Sequence, residues 1–253
     1  MPGRNALRAR PAVRAKTDRI DAELIAGFML FRPEAGRKLP GENLRVLRAL
    51  TTRRAQVAEM HKRLSAQIAA RRKQHIPADL EGIDASLLAM LDAQVGDLER
   101  RIKSIIGQEE TSAAKARLLL SIPGIGPVSA AMLIAEMPEL GRVTSGEAAA
   151  MTGLAPIPHD SGAMRGKRAI AGGRRALRHV LFQAAPAAAC YNPVLKPVAQ
   201  ALKIRGKLHK LVIVVIARRL VKISNTILKT GVPWQTQPGR STQLLVSGLV
   251  HVS

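Results

Sequence analysis

A serine in a glycine- and proline-rich loop, followed closely by cations, is an arrangement in which a hydroxyl can attack a phosphodiester. Residues 153–182, GLAPIPHDSGAMRGKRAIAGGRRALRHVLF, have that composition. Ser161 precedes Arg165, Lys167, Arg168, Arg174, Arg175 and Arg178, whose charges would stabilise a pentavalent phosphorus. A serine also needs a base or a metal, and none stands beside this one. His159 and Asp160 are neighbours in sequence, which does not make a triad. On the residues alone the plainer reading is a phosphate-binding loop in which Ser161 caps a turn.

The segment KTDRIDA carries carboxylates at Asp18 and Asp21. Three residues apart on a helix, they share a face and could reach one hard cation such as Mg²⁺. Two-metal phosphoryl-transfer sites need three or four such oxygens from separate elements. Helix capping, with Asp18 at the N-cap and Asp21 in the first turn, explains the pair equally simply.

A third motif is LLLSIPGIGPVSAAMLIAEM, residues 118–137. A helix ends, a turn forms around Pro123 to Gly126, and a second helix starts near Pro127, with Ala130, Ala131 and Leu133 packing back. Gly124 and Gly126 would let backbone N–H groups approach a phosphate at a helix N-terminus, the helix-hairpin-helix way of reading a nucleic-acid backbone without sequence preference. The rival is a plain αα-hairpin. GIGPVS lacks the third glycine of a dinucleotide fingerprint, and GAMRGKR has the wrong spacing for a Walker loop. The six histidines show no paired metal-ligand spacing; His61, His75 and His209 sit among basic residues, where phosphate contact or solvation is expected. Tyr191, in an apolar stretch, reads as packing rather than as a nucleophile.

These motifs need helices to hold them. Ile20, Leu24, Ile25 and Phe28 have helical spacing and stop near Arg32-Pro33. Leu44, Leu47, Leu50, Val57, Met60, Leu64 and Ile68 form a longer stripe that breaks around His75-Ile76-Pro77. Ile83, Leu87, Leu91, Val95, Leu98, Ile102 and Ile105 continue it in steps of four and three, the seam of an antiparallel hairpin or coiled coil between residues 42 and 115. A last stripe runs through Leu208, Leu211, Val215, Leu220, Ile223 and Ile227 to Gly231-Val232-Pro233. Strand patterns are scarce, so the expected class is mainly α.

Forty Lys and Arg against 18 Asp and Glu give a net charge of +22 in 253 residues. That makes a polyanion the default partner and argues against an ordinary small-substrate enzyme. A hydrophobic content of 47% supports a real core, whereas 2% aromatics leave little to stack single-stranded bases, favouring backbone contact or duplex. One cysteine, Cys190, excludes an internal disulfide and multi-cysteine zinc sites. The apolar run from Leu211 to Ala217 is too short to span a bilayer and the start is no secretory signal, so a cytoplasmic location without membrane contact is expected.

Together KTDRIDAELIA, SIPGIGPVSAAMLIAE, the 153–182 segment and YNPVLK…LKIRGKLHKLVIVVIARRLVKISNTILKTGVPW resemble the transposases of the bacterial insertion sequence 110/116/902 family, which includes Piv-type DNA invertases. The resemblance covers roughly residues 12–235. It implies a remnant of a ribonuclease-H-like DEDD nuclease domain over residues 1–40, a helical arm over 41–115, a C-terminal transposase domain with the helix-hairpin-helix over 116–234, and a tail outside the family pattern over 235–253. Carried over by position, Asp18 and Asp21 match the last two acidic Mg²⁺ ligands. Ser161 matches the nucleophile that forms a phosphoserine link to cleaved DNA. The resemblance further implies double-stranded DNA and a structured guide RNA as partners, and a dimer or tetramer whose active site combines the acidic cluster of one subunit with the serine of another. It turns the aspartates toward metal ligation and Ser161 toward catalysis.

One departure is large. The first Asp and the Glu of a DEDD set belong upstream of KTDRIDA, where only seventeen residues precede Asp18 and no strand pattern fits. The expectation is a truncated transposase that binds nucleic acid and does not cut alone. The rival is a non-catalytic helix-hairpin-helix binding protein.

Overall fold

The computed structural model describes residues 18–31, 41–74, 81–157, 169–170 and 172–235. The chain divides into two compact units, residues 1–41 and 42–253. In the first, α1 (Asp18–Phe31) begins at the aspartate and stops just before Arg32-Pro33. Its Leu24, Ile25 and Leu30 are exposed.

The second unit opens with two long helices, α2 (Glu42–Lys73) and α3 (Glu81–Gln108). They run antiparallel: Arg54 pairs with Glu99, His61 with Asp92 and Arg71 with Asp84, one number rising as the other falls. The inward face of α2 carries Leu47, Thr51, Arg54, Val57, His61, Leu64, Ile68 and Arg71, and that of α3 carries Asp84, Leu88, Leu91, Val95, Leu98 and Ile102. These steps of three and four correct the sequence reading. Met60, Ile83 and Leu87 lie off the seam and are 51%, 58% and 39% exposed. Strict alternation traced back from Val95 and Leu91 reaches Leu88 and Asp84, and on α2 it reaches His61 rather than Met60. The second helix also ends earlier than 115. Glu109 is extended and accepts hydrogen bonds from the Thr111 and Ser112 hydroxyls, which hold its carboxyl below the usual range.

After this break come α4 (Glu110–Leu120), α5 (Pro127–Glu136) and α6 (Ser145–Met151). From Ser129 to Ala135 every residue of α5 is buried. It packs on α2, α4 and α7, and Arg48 donates to its Ala135 carbonyl at 2.7 Å. Thr144 and Glu147 close a reciprocal capping box at the start of α6. A two-stranded antiparallel ribbon follows, β1 (Pro156–Ile157) with β2 (Ala169–Ile170), Pro156 opposite Ile170. The chain ends its described part in α7 (Arg175–Tyr191), α8 (Leu195–Ile204) and α9 (His209–Thr230), with Gly231 left-handed at the stop.

The core runs along α7, which packs on both α5 and α9, around Leu133, Leu177, Leu181, Ile216 and Leu220. The buried face of α9 is Val212, Ile213, Ile216, Leu220, Ile223 and Ile227; the expected members Leu208 and Leu211 are 79% and 45% exposed. The architecture is mainly helical, and among the described residues no helix is long and apolar enough to cross a membrane.

Candidate nucleic-acid interface

Between α4 and α5 the turn turns two apolar side chains inward and one glycine outward. Ile122 and Ile125 are buried, and Ile125 N–H donates to the Ile122 carbonyl at 2.9 Å. Gly124 has φ +104°, and a Cβ there would meet the Cβ and main chain of Ala188 on α7. Its glycine is thus required by close packing. Gly126 is different: it is exposed, a Cβ would meet nothing within 4 Å, and it is the N-cap of α5 with Pro127 next. The first-turn N–H groups of a helix have no intrahelical acceptor, so this end suits an anion. Asn192 fixes the turn from outside: buried, it donates to the Pro123 carbonyl at 3.2 Å and accepts from Val194 and Leu195 N–H. Sequence reading saw only a break at 191–193. Asn-Pro after a helix was the available signal.

The 153–182 motif is held at its stem. The backbones at Gly153 and Gly172-Gly173 pack closely: a Cβ on Gly173 would collide with the Gly153 main chain, and one on Gly153 with the Gly172 carbonyl and the Arg178 guanidinium. Arg178 donates to the Gly172 carbonyl at 2.6 Å, and Arg174 N–H to the Met151 carbonyl at 2.8 Å. The Arg174 side chain forks onto Glu139 at 2.8 and 2.9 Å and reaches the Glu136 carbonyl at 2.6 Å. The hydrogen-bonded Glu139 raises its basicity above the ordinary arginine value, against the effect of burial. Arg174 and Arg178 therefore spend donors on the stem. Arg175 is exposed. Ser161, Arg165, Lys167 and Arg168 lie outside the described residues, as do residues 236–253.

Beside this stem lies a groove of about 1500 Å³ bounded by α2, α3, α4, α5 and α7. Ile102, Ile106, Leu120, Val128, Met132 and Val180 line it with apolar surface; Lys62, Arg63, Arg100, Lys103 and Arg175 surround them with cations, with His179 beside them. Arg54 and Glu99, also at the groove, neutralise each other.

Other expected residues fall elsewhere. Asp18 and Asp21 share the first turn of α1, and their side chains lie outside the described residues. Among the described residues no three His, Cys, Asp or Glu gather to hold a metal. His61 is not solvated among cations: it sits 3.3 Å from Asp92 across the arm. His75 lies outside the described residues, and His209 is exposed at the start of α9. Tyr191, expected to pack, is 79% exposed.

Two family models match the chain, one described as Transposase IS116/IS110/IS902 family over residues 116–200, the other a DEDD-type IS110 transposase over residues 3–77. The chain is similar to the insertion element IS110 uncharacterized 43.6 kDa protein of Streptomyces coelicolor, 26% identical over 162 residues, 63% of this chain and 39% of the relative. It is 30% identical over 148 residues to the insertion element IS116 uncharacterized 44.8 kDa protein of Streptomyces clavuligerus, 57% of this chain and 36% of the relative. It is 26% identical over 232 residues to the pilin gene-inverting protein of Moraxella bovis, 88% of this chain and 69% of that protein. The chain thus spans well under half the length of the two insertion-element relatives it matches.

Proposed function

Because the chain belongs to the IS116/IS110/IS902 family of transposases, we propose that it acts in DNA recombination at the ends of an insertion sequence, with Ser161 as the nucleophile. The observation that supports this best is the ribbon stem. β1 and β2 pair on either side of residues 158–168, and Gly153, Gly173, Arg174 and Arg178 tie the stem to α5, α6 and α7. The two ends of the segment that carries Ser161 are thus anchored to the fold, and attack in line on a phosphodiester requires a positioned nucleophile.

In the proposed step the Ser161 oxygen bonds to phosphorus, the bond to one sugar oxygen breaks, and a phosphoserine ester holds one DNA end. The departing oxygen leaves as a hydroxyl once protonated. Arg165, Lys167, Arg168 and Arg175 would offset the charge gathering on phosphorus, and Gly126 at the start of α5 would hold a backbone phosphate away from the reaction. The family suggests a divalent metal, expected as Mg²⁺. Asp18 and Asp21, on one turn of one helix, are half of a two-metal donor set, and no described cluster completes it. The residues in hand do not fit that group by themselves, and no step is routed through it. Duplex DNA, a structured guide RNA and assembly into two or four copies belong to the same proposal.

The incomplete donor set favours a second reading, a binding protein that uses the helix-hairpin-helix and cations without cutting. A duplex bearing an element end, labelled and incubated with Mg²⁺, separates the two. A covalent protein–DNA adduct abolished in Ser161→Ala supports the nucleophile. Retained binding without adduct supports the second reading. No binding of duplex or RNA at low ionic strength overturns both.

A further inference from the structure

The turn between α8 and α9 sets apolar side chains where water would ordinarily meet polar ones. Every residue from Lys203 to Leu211 is exposed, and burial resumes at once with Val212 and Ile213. Because α8 and α9 pack on each other and on α7, this exposed run is a protruding tip on a supported hairpin. Hydrogen bonds set its shape. Gly206 is left-handed at φ +69°, its N–H donates to the Lys203 carbonyl at 2.9 Å, and Lys207 N–H reaches back to the Leu202 carbonyl at 3.1 Å. That pair of bonds is the Schellman closure of a helix. Leu208 then opens α9 as its N-cap, a place that serine, threonine, aspartate or asparagine would fill by offering an acceptor; leucine offers none, and the helix starts without a side-chain cap.

The tip carries two kinds of surface. Ile204, Leu208 and Leu211 are exposed apolar side chains, Ile204 at 87%. Lys203, Arg205, Lys207 and Lys210 are interspersed with them in the chain and are exposed as well. From Ser161 to Ser253 the sequence has no Asp or Glu, so neither helix of the hairpin brings an acid to the tip. An apolar patch rimmed by polar residues marks an interaction surface, and here the rim demands an anionic partner. A lipid surface is disfavoured: residues 195–230 hold no Phe, Tyr or Trp, the side chains that seat a segment at a membrane interface. The minor groove of duplex DNA has phosphates along both edges, and its base steps part for a leucine or isoleucine wedge. An A-form RNA helix offers a wide, shallow groove instead.

We propose that the α8–α9 tip enters the minor groove of duplex DNA, with Lys203, Arg205, Lys207 and Lys210 on the flanking phosphates and Leu208 as the wedge against the base steps. The surface shares no residue with the Ser161 loop or with the turn at Gly126, and it rests on the reading of the chain as a DNA-binding protein.

The test compares the full wild-type chain with Lys207→Gln/Lys210→Gln and with Leu208→Gln on an A·T-rich duplex, a random-sequence RNA hairpin and phosphatidylserine vesicles. All three positions are exposed, so melting temperatures should stay within about 2 °C of wild type. On duplex, the double substitution should lower the slope of log Kobs against log salt by about two. Leu208→Gln should leave that slope alone and weaken duplex binding about tenfold. Placement is read separately: Cys190→Ser/Leu208→Cys carrying a photo-cross-linker should bond to duplex, and netropsin, which fills the minor groove, should abolish the adduct. Where a substituted chain unfolds, the cross-link decides. Both losses on duplex, with a netropsin-sensitive cross-link, support the tip. A smaller slope with Leu208→Gln unchanged overturns the groove insertion, since a phosphate contact without a wedge would remain. Duplex bound equally by all three proteins overturns the tip and leaves the DNA-binding reading intact, whereas a wild type that binds no duplex overturns both. Losses on RNA or vesicles but not on duplex overturn the duplex assignment in favour of that partner.

Discussion

Gly124 and Gly126 stand two residues apart in one turn, yet alanine should be tolerated at one and not at the other. At Gly124 φ is +104°, and an ideal Cβ would stand 2.5 Å from the Cβ of Ala188, 2.7 Å from its Cα and 2.8 Å from its N. Two of those three atoms are main chain of α7, which also packs on α9, so relief requires moving a helix rather than rotating a side chain. Forcing extra volume into a packed core costs about 1–3 kcal/mol, and the left-handed backbone adds about 1–2 kcal/mol once a Cβ is present. Gly124→Ala should therefore lose about 2–5 kcal/mol, which at about 2–4 °C per kcal/mol lowers Tm by roughly 10 °C. Gly126 has φ −94° and open space, so Gly126→Ala should shift Tm by only about 1–2 °C, the difference between glycine and alanine at an N-cap. Thermal unfolding followed by circular dichroism reads both. Duplex binding at low ionic strength then belongs to Gly126, where Gly126→Val should weaken affinity for all sequences alike without unfolding the chain. A Gly124→Ala protein melting within about 2 °C of wild type would refute the packing argument, and loss of duplex binding in that same protein would return Gly124 to phosphate contact.

Two further substitutions test the supports of the interface. Asn192→Ala removes the buried link to the Pro123 carbonyl and the acceptor for Val194 and Leu195 N–H, leaving polar groups unmet at about 1–3 kcal/mol; urea unfolding should show that loss, with Asn192→Asp, which keeps the acceptor, falling between. Thr144→Ala removes the α6 capping box and should destabilise by about 1 kcal/mol at neutral pH. Hydrogen bonds from Thr144 hold the Glu147 carboxyl below its ordinary 4.5, so the folded state favours its ionised form. That contribution is present above 4.5 and disappears as pH falls through the depressed value. The Thr144 backbone N–H keeps its bond to Glu147 in Thr144→Ala and only the hydroxyl's is lost, so the gap between wild type and variant should narrow in acid without closing; a gap that stays constant down to the acid limb would contradict the linkage.

Local signals with a mechanism were legible. Asp18 before an apolar pattern, Arg32-Pro33 after it, Gly126-Pro127 and Gly231 all marked helix ends that the structure keeps. The arm was legible as a seam but not in its register at the distal end. There Ile83, Leu87 and Met60 are apolar yet face outward, while Asp84 and Arg71 take inward positions by pairing with each other across the helices, and His61 does so by pairing with Asp92. Hydrophobicity alone chose the wrong residues; charge complementarity at heptad spacing would have chosen the right ones. At the candidate interface the cations all looked alike in sequence. Only three-dimensional neighbours separate Arg174, held by Glu139 and a carbonyl 38 residues away, from Arg175 one position on, which stays exposed. Asn192 carries a local signal as Asn-Pro after a helix, but nothing local announces its partner Pro123, 69 positions away.

The distribution of charge says which half of the second unit a polyanion meets. On the arm several cations are matched: Arg54 with Glu99, Arg63 with Glu59, Arg71 with Asp84 and Arg101 with Asp97. These pairs fix the register of two helices, and a phosphate would have to displace a carboxylate to reach them. Beyond Ala148 one carboxylate faces sixteen cations, so about two thirds of the net +22 lies there. Arg174 and Arg178 spend donors there on a distant acid and on a carbonyl, and the excess of positive charge in the sequence remains. The field of an unmatched surface steers association and gains from counterion release, whereas a matched one does neither. Raising the salt should therefore weaken nucleic-acid binding through the C-terminal half long before it loosens the arm, whose pairs sit beside an apolar seam that salt strengthens.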